Sequence, residues 1–358
     1  MTNLNIYGWN SKLNQLKQKS TYNSLAHGRV TIVHRTCYEV ISENGLFLCE
    51  LTGNMLFGKS DFELPCTGDW VVFQPFDENR GIIVDLLPRE RILFRKKIGS
   101  STDKQAIASY VDKAFIVQSL DDNFNVRRAE RFMAQILDAG IQPVLVLNKS
   151  DLEFDKQRVN DAIRHIARQI PVFFTSVRFP ETIRALQESI SEGETVVFVG
   201  SSGVGKSSLV NALCGNSALA VSEISASTGK GRHTSTRREM VLMKHLGVLI
   251  DTPGVREFGL AVENPDSLGE MLEISDYEKS CRFANCTHTN EPDCAVLEAV
   301  KNGSLDPKIV ESYHKLQREM WHFSTSEHEK RQREKFFKKS VCDESFRKLE
   351  RKWNAKTN

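Results

Sequence analysis

No apolar stretch of the sequence approaches the roughly 20 residues that a membrane-spanning helix needs, and the longest apolar runs are strand-sized. The opening, MTNLNIYGWNSKLNQ, also lacks the charged-then-apolar pattern of a secretory signal. A cytoplasmic protein without membrane contact is therefore expected. Strong charge of one sign is missing too: the formal net charge is +2 over 358 residues, so the whole chain does not announce itself as a nucleic-acid binder. No internal repeat or extended low-complexity tract is evident. Eight cysteines could suggest disulfides, but the length and the missing signal argue for a reducing compartment, where clustered cysteines more often bind metal.

What is present is unevenly distributed. With 40% hydrophobic and 26% charged residues, the chain is long enough for two or three domains, each with its own core. From 28 to about 95, the segments RVTIVHR, YEVIS, LFLCEL, DWVVF and GIIVDLL are short and rich in β-branched and aromatic residues, separated by turn material such as Glu43-Asn44-Gly45. Such spacing predicts a small barrel, and a five-stranded OB-type barrel fits the length. The polar, basic stretch 93–105 reads as a linker. From 108 to about 259, KAFIVQSL, PVLVLNK, VFFTS, TVVFVGSS, EMVLMKH and GVLIDTPG look like strands covered on both faces, and VRRAERFMAQILDAG has helical spacing between the first two. That is α/β texture. Beyond 259 the pattern is helical and polar, with a long charged helix from about Pro307 to Lys330. Residues 327–358 hold eleven Lys/Arg against six Asp/Glu.

Three motifs carry chemistry. Gly200-Ser201-Ser202-Gly203-Val204-Gly205-Lys206-Ser207-Ser208 follows a strand and opens a helix, the context of a phosphate-binding Walker A loop. Its glycines let backbone N–H groups turn toward phosphate oxygens, Lys206 reaches the β/γ-phosphates, and Ser207 is a Mg²⁺ ligand. Asp251-Thr252-Pro253-Gly254 closes a later strand; Asp251 can hold Mg²⁺ and the Gly254 N–H can sense the γ-phosphate. Asn148-Lys149-Ser150-Asp151 matches the guanine-reading pattern N-K-x-D. Asp151 would accept hydrogen bonds from guanine N1–H and its amine, whereas adenine would leave the carboxylate unsatisfied, a mismatch worth roughly 10⁴-fold or more. Thr175 and Ser176, at the next strand end, supply a second candidate contact to the base. Two other readings stand beside this one: a P-loop ATPase or small-molecule kinase with an incidental N-K-S-D, and a non-catalytic RNA-binding scaffold with a degenerate pocket.

The base motif precedes the phosphate loop, the reverse of the Ras-type order. In a parallel sheet, ligand loops gather at the carboxyl ends of the strands whichever strand comes first in the chain, so a circular permutation preserves the site. Further on, Cys281-x4-Cys286-x-His288-x5-Cys294 offers a complete tetrahedral set for one structural Zn²⁺, with no open position for catalysis. The other five cysteines are scattered.

The permuted order, GKGRHTST at 229–236, DTPGV, the preceding barrel segments, KQAIASYVD and the Cys/His cluster together resemble the ribosome small-subunit-dependent GTPase A family over nearly the whole chain. The first 27 residues and the basic tail are less diagnostic. The resemblance implies an N-terminal OB-type β-barrel, a central α/β circularly permuted P-loop GTPase and a C-terminal, mostly helical zinc-binding domain. Expected boundaries are an extension at 1–27, the barrel at 28–97, the GTPase at 98–262, the zinc domain at 263–330 and a basic tail at 331–358. It further implies GTP hydrolysis to GDP stimulated by the 30S ribosomal subunit, late in small-subunit maturation, with 16S rRNA as a partner and a monomeric chain. GRHTST would be switch I, with Thr234, Ser235 or Thr236 binding Mg²⁺. Where Ras-like proteins place a water-orienting glutamine, this chain has Val255, which cannot position water. The resemblance nominates His233 for that catalytic role, beside Lys206 and Asp251; contact of His233 with RNA is the alternative. Arg232, Arg237 and Arg238 could neutralise transition-state charge or touch phosphate backbone. Lys59, Arg91, Arg95, Lys96 and Lys97, with the tail, are candidate RNA contacts.

Overall fold

The computed structural model describes residues 1–57, 59–96, 104–214, 219–220, 238–243, 246–251 and 266–324. His233, Thr234, Ser235, Thr236, Gly254 and the tail at 331–358 lie outside these described residues.

A 3-10 turn at Leu4–Tyr7 and helix α1 (Ser11–Lys19) precede five strands: β1 (Ala26–Val33), β2 (Tyr38–Ser42), β3 (Gly45–Leu51), β4 (Trp70–Asp77) and β5 (Arg80–Leu86), with a short helix α2 (Gly53–Leu56) after β3. The β2–β3 hairpin turns on Glu43-Asn44, because Ser42 pairs with Gly45. Strand β1 pairs antiparallel with both β2 and β4, while β3 runs parallel to β5, so the order β1-β2-β3-β5-β4 closes on itself. Closure pairs β1 on both sides near its start, where Gly28 and Arg29 face β2 and β4, and leaves its far end open on one side. Alternate side chains point inward: Val30, Val40, Phe47, Cys49, Val71, Phe73 and Ile83 fill the barrel and are buried. Full burial of each large apolar side chain contributes roughly 1.5–3 kcal/mol.

The two ends of the stretch read as a linker are strands. Leu93–Lys96 (β6) pairs antiparallel with Lys104–Ala108 (β7). Leu93, Phe94 and Ile107 are buried, which anchors the hairpin, and Arg95 donates to Gln105 across it.

The α/β unit then runs β8 (Lys113–Ser119), α3 (Val126–Asp138), β9 (Gln142–Asn148), α4 (Lys156–Ala167), β10 (Val172–Thr175), α5 (Pro180–Glu188), β11 (Thr195–Val199), α6 (Lys206–Cys214), β12 (Leu219–Ala220), β13 (Glu239–Leu242) and β14 (Val248–Asp251). Its strand order is β10-β9-β8-β11-β14-β13; the first five are mutually parallel and β13 is antiparallel to β14. Both faces are covered, as the continuous apolar runs predict: Phe115, Val117, Val144 and Val146 pack on one side, and Ile116, Leu145, Leu147 and Val197 on the other. One antiparallel pairing, Ile32 with Glu239, joins the barrel edge to β13.

Among the described residues four helices follow: α7 (Asp266–Met271), α8 (Ser275–Glu278), α9 (Ala295–Lys301) and α10 (Pro307–Ser324). Helix α10 is tied to α3 through the Arg127–Glu311 and Arg131–Glu319 ion pairs at 2.9 and 2.7 Å. The first residues, read as an extension, are built into the fold: Leu4, Tyr7 and Leu13 are buried in the cluster that also takes in Trp70, Ile107 and Val197. Among the described residues, no helix is long and apolar enough to cross a membrane.

Candidate functional site

Strand register decides which loops meet. Asn148 is level with Ser119 on β8 and with Thr175 on β10, while Val197 on β11 is level with Ile250 on β14. The loops leaving β8, β9, β10, β11 and β14 therefore emerge at one edge, the carboxyl end of the parallel strands. Residues 200–208, Asn148 to Asp151, Thr175, Ser176 and Asp251 are brought to that edge despite their permuted order.

The phosphate loop is shaped by its glycines. Gly200, Gly203 and Gly205 all have left-handed φ values, +146°, +81° and +93°. A Cβ on Gly200 would lie 2.4 Å from the Val117 carbonyl oxygen, and one on Gly205 would lie 2.3 Å from Asn148 Nδ2. No side chain fits in either place without displacement. Val204 between them is fully buried and anchors the loop in the core, while Ser207 and Ser208 are exposed in the first turn of α6. Lys206 Nζ donates to the Gly200 and Ser201 carbonyls at 2.6 and 2.7 Å, which holds the ammonium over the amino-terminal half of the loop.

The N-K-S-D segment grips this loop. Asn148, 3% exposed, donates from Nδ2 to the Val204 carbonyl at 2.8 Å and accepts from Thr175 Oγ1 at 3.2 Å. Lys149, at φ +63°, reaches Asp121 at 2.7 Å. Asp151 accepts from Ser176 Oγ at 2.5 Å and pairs with the exposed Arg178 at 3.2 Å. The Ser176 hydroxyl, with the Asp151 amide and the Arg178 and Lys149 charges, outweighs desolvation and holds the Asp151 carboxyl below its ordinary value. Thr175 and Ser176 are themselves fully buried, and their hydroxyls orient Asn148 and Asp151. Asp251 is half-buried at the end of β14, level with Glu239.

Two residues absent from the motif reading complete this edge. Asp121 accepts from Lys149, Ser119 Oγ at 2.6 Å and the Asn123 amide at 3.0 Å. Partial burial pushes its carboxyl up, but the Lys149, Ser119 and Asn123 hydrogen bonds outweigh that and bring it down to about 2. Asn123 Nδ2 in turn donates to the Ser202 carbonyl at 3.2 Å. The signal was SLDDN, a carboxylate cluster at the end of a buried strand.

The Cys/His tetrad converges between α8 and α9. Cys281, Cys286, His288 and Cys294 offer ligand atoms that all lie within 4.8 Å of one another. The Cys281 and Cys294 sulfurs are 3.9 Å apart, and His288 Nδ1 is 3.4 Å from Cys294 Sγ and 3.7 Å from Cys281 Sγ. Ligands placed tetrahedrally about an ion with metal–sulfur bonds near 2.3 Å would be separated by roughly 3.8 Å, so the cluster can hold a metal ion. Nδ1 faces the sulfurs because Nε2 lies 3.1 Å from Glu278 Oε1, which also accepts from the Tyr313 hydroxyl at 2.7 Å. A carboxylate behind a ligating imidazole fixes its tautomer and raises its basicity. Glu278 and Tyr313 were not singled out by the sequence; they flank the cluster on α8 and α10. Two of the basic residues considered for RNA are engaged elsewhere: Arg91 pairs with Asp112 at 3.0 Å and donates to the Val111 carbonyl, and Arg95 bonds Gln105.

A phosphate loop, an N-K-x-D segment and Asp251, the first residue of D-T-P-G, at one sheet edge, in permuted order after a barrel, define a circularly permuted P-loop GTPase with an appended Cys/His module. Comparison with known proteins agrees. The RsgA GTPase family model matches residues 86–261. A relative from Bacteroides thetaiotaomicron named small ribosomal subunit biogenesis GTPase RsgA 1 is 69% identical over 346 residues, 97% of this chain and 98% of the relative. Among solved structures, YjeQ from Thermotoga maritima superposes with a TM-score of 0.63 at 25% identity, covering 83% of this chain and 98% of its own. The fold also matches that of YloQ, described as a circularly permuted GTPase, at a TM-score of 0.61 over 84% of this chain and 96% of its own. The chain belongs to the RsgA GTPase family, a family of GTP-hydrolysing enzymes.

Proposed function

We propose that this GTPase acts on the small ribosomal subunit, hydrolysing GTP in response to 30S particles during their late maturation. The observation that carries the GTPase half is the Asn148 bridge: one buried amide links the segment that reads the base to the loop that cradles the phosphates. Small-subunit biogenesis is supported by the relative that shares 69% of its residues over nearly the whole chain.

In this reading the Asp151 carboxylate, oriented by Ser176, accepts from guanine N1–H and the exocyclic amine. The backbone N–H groups of 203–208 face the β-phosphate at the start of α6, and Lys206 moves from the loop carbonyls to the β/γ-phosphate oxygens. Ser207, Asp251 and Thr234 or Thr236 would hold Mg²⁺, which neutralises charge between the β- and γ-phosphates. The Gly254 N–H bonds the γ-phosphate. His233 orients the attacking water, a task that Val255 cannot perform. The tetrad Cys281, Cys286, His288 and Cys294 would hold one structural Zn²⁺ that ties α8 to α9 in a module of short helices. The barrel and the basic tail contact 16S rRNA, and the protein works in the cytoplasm as a monomer.

Two measurements test this. Competition for bound GTP should be strong for GDP and absent for ATP; ATP competing equally would favour the ATPase reading. Co-sedimentation with purified 30S particles should be stronger with a non-hydrolysable GTP analogue than with GDP, and equal recovery in both states would remove the nucleotide-dependent association.

A further inference from the structure

A cavity of about 340 Å³ lies away from the nucleotide edge, where the N-terminal residues, the barrel and the GTPase meet. Its walls include Trp9 and Lys12 from the N-terminal segment, Arg29 and Trp70 from the barrel, and Arg91 and Asp112 from the connection into β8. Asp112 and Thr195 sit at the amino ends of β8 and β11, so the cavity faces the opposite end of the sheet from the phosphate loop.

Arg29 is the unusual member. It is 1% exposed, and among the described residues no carboxylate touches it. Its Nε donates to the Gly68 carbonyl at 2.9 Å and Nη1 to the Tyr7 carbonyl, and the guanidinium stands 5.5 Å from the Trp70 ring. Nη2 is buried without a hydrogen-bond partner among the described residues. A buried guanidinium is strongly disfavoured unless its charge is paired and its N–H groups are accepted. Three of the four carboxylates around the cavity are already engaged, Glu90 with Lys12 at 2.6 Å, Asp112 with Arg91 at 3.0 Å, and Glu194 with Lys113 at 2.7 Å, and the fourth, Glu192, is exposed. What Arg29 lacks is one oxyanion. Trp9 supplies a second feature: its half-buried indole packs at a tilt against His27 and Trp70, with ring centroids 4.1 and 4.8 Å away, and forms part of the same wall, an aromatic surface beside a cation.

We propose that this cavity binds a small organic oxyanion carrying a flat ring, its carboxylate or phosphate oxygens accepting from Arg29 and its ring lying against Trp9. The volume is at the lower end of the range typical of small-molecule pockets. Residues 4–10, a single 3-10 turn and the loop after it, form the cover over Arg29 through the Tyr7 carbonyl, and a slight displacement of this cover admits the ligand. Because the walls come from three parts of the chain, occupancy favours the arrangement in which barrel and GTPase are held together, and such a ligand couples to whatever alters that arrangement.

The test is calorimetric titration of the full-length protein, with the nucleotide site saturated by GDP so that the phosphate loop cannot take the probe. Benzoate and phenyl phosphate share the ring and differ in the oxyanion, which separates a carboxylate ligand from a phosphate ligand; inorganic phosphate lacks the ring. Saturable binding of benzoate or phenyl phosphate, tighter than inorganic phosphate and weakened about tenfold or more in Trp9→Leu and in Arg29→Lys, is the expected result. Trp9→Leu keeps the test open if Arg29→Lys does not fold, as judged by circular dichroism. No saturable binding of either ring-bearing probe, or binding that Trp9→Leu leaves unchanged, overturns the proposal.

Discussion

Replacing Asn148 by alanine should weaken nucleotide binding without regard to the base. The buried amide makes two hydrogen bonds, to the Val204 carbonyl and from the Thr175 hydroxyl. Both partners are fully buried, so Asn148→Ala leaves each unsatisfied at about 1–3 kcal/mol, or about 2–6 kcal/mol together. The free loop can escape part of this cost by rearranging, and a bound nucleotide must restore the arrangement. Even the lower figure, about 2 kcal/mol, corresponds to a roughly 30-fold loss of affinity. Calorimetric titration with GDP measures it directly. Repeating the experiment with xanthosine diphosphate in an Asp151→Asn background asks whether Asn148 acts through the loop or through guanine. The same factor is expected in both. A loss confined to the guanine nucleotide, or no loss at all, would refute the argument that Asn148 serves the phosphate loop.

The remaining expectations concern single groups. Asp151→Asn should weaken GDP by about 100-fold or more and favour xanthine nucleotide, whose base replaces the guanine amine with a carbonyl; retained guanine preference in the same titration would separate Asp151 from the base. His233→Ala should leave GDP affinity unchanged and lower subunit-stimulated turnover about 100-fold; unaltered turnover would remove His233 from the mechanism. Glu278→Gln, by losing the carboxylate behind His288, should weaken zinc about 10- to 100-fold in competition with a chelator. Unchanged affinity would reduce Glu278 to a packing role.

The parts legible in the sequence were those encoded by adjacent residues. Alternating short strands gave the barrel, apolar runs gave the covered sheet, and the motifs named the edge at which it would bind. The metal tetrad was readable because its four ligands fall within fourteen residues, 281–294. What escaped were partners supplied by other segments. Asp121 meets Lys149 only because β8 and β9 are parallel neighbours, and Glu278 meets His288 only because α8 returns to the cluster. Tyr313 arrives from α10. Thr175 and Ser176 were found for their position at a strand end, but their burial, which no local pattern reports, makes them supports of Asn148 and Asp151. The N-terminal residues misled for a related reason. LNIYGWNSKL has too few apolar positions to read as a core element, yet Leu4, Tyr7 and Leu13 all find the junction between barrel and sheet. Arg29, at the head of RVTIVHR, is among the most buried side chains described, which its local sequence does not report.

A permuted nucleotide site coupled to the small ribosomal subunit should hydrolyse GTP faster when that subunit is present. GTP turnover measured with purified 30S, 50S and 70S particles tests it most directly. Turnover should be slow for the protein alone and should rise at least tenfold with 30S particles, with little response to 50S particles. Turnover that no particle changes, or that 50S particles raise as much as 30S particles do, would contradict the claim.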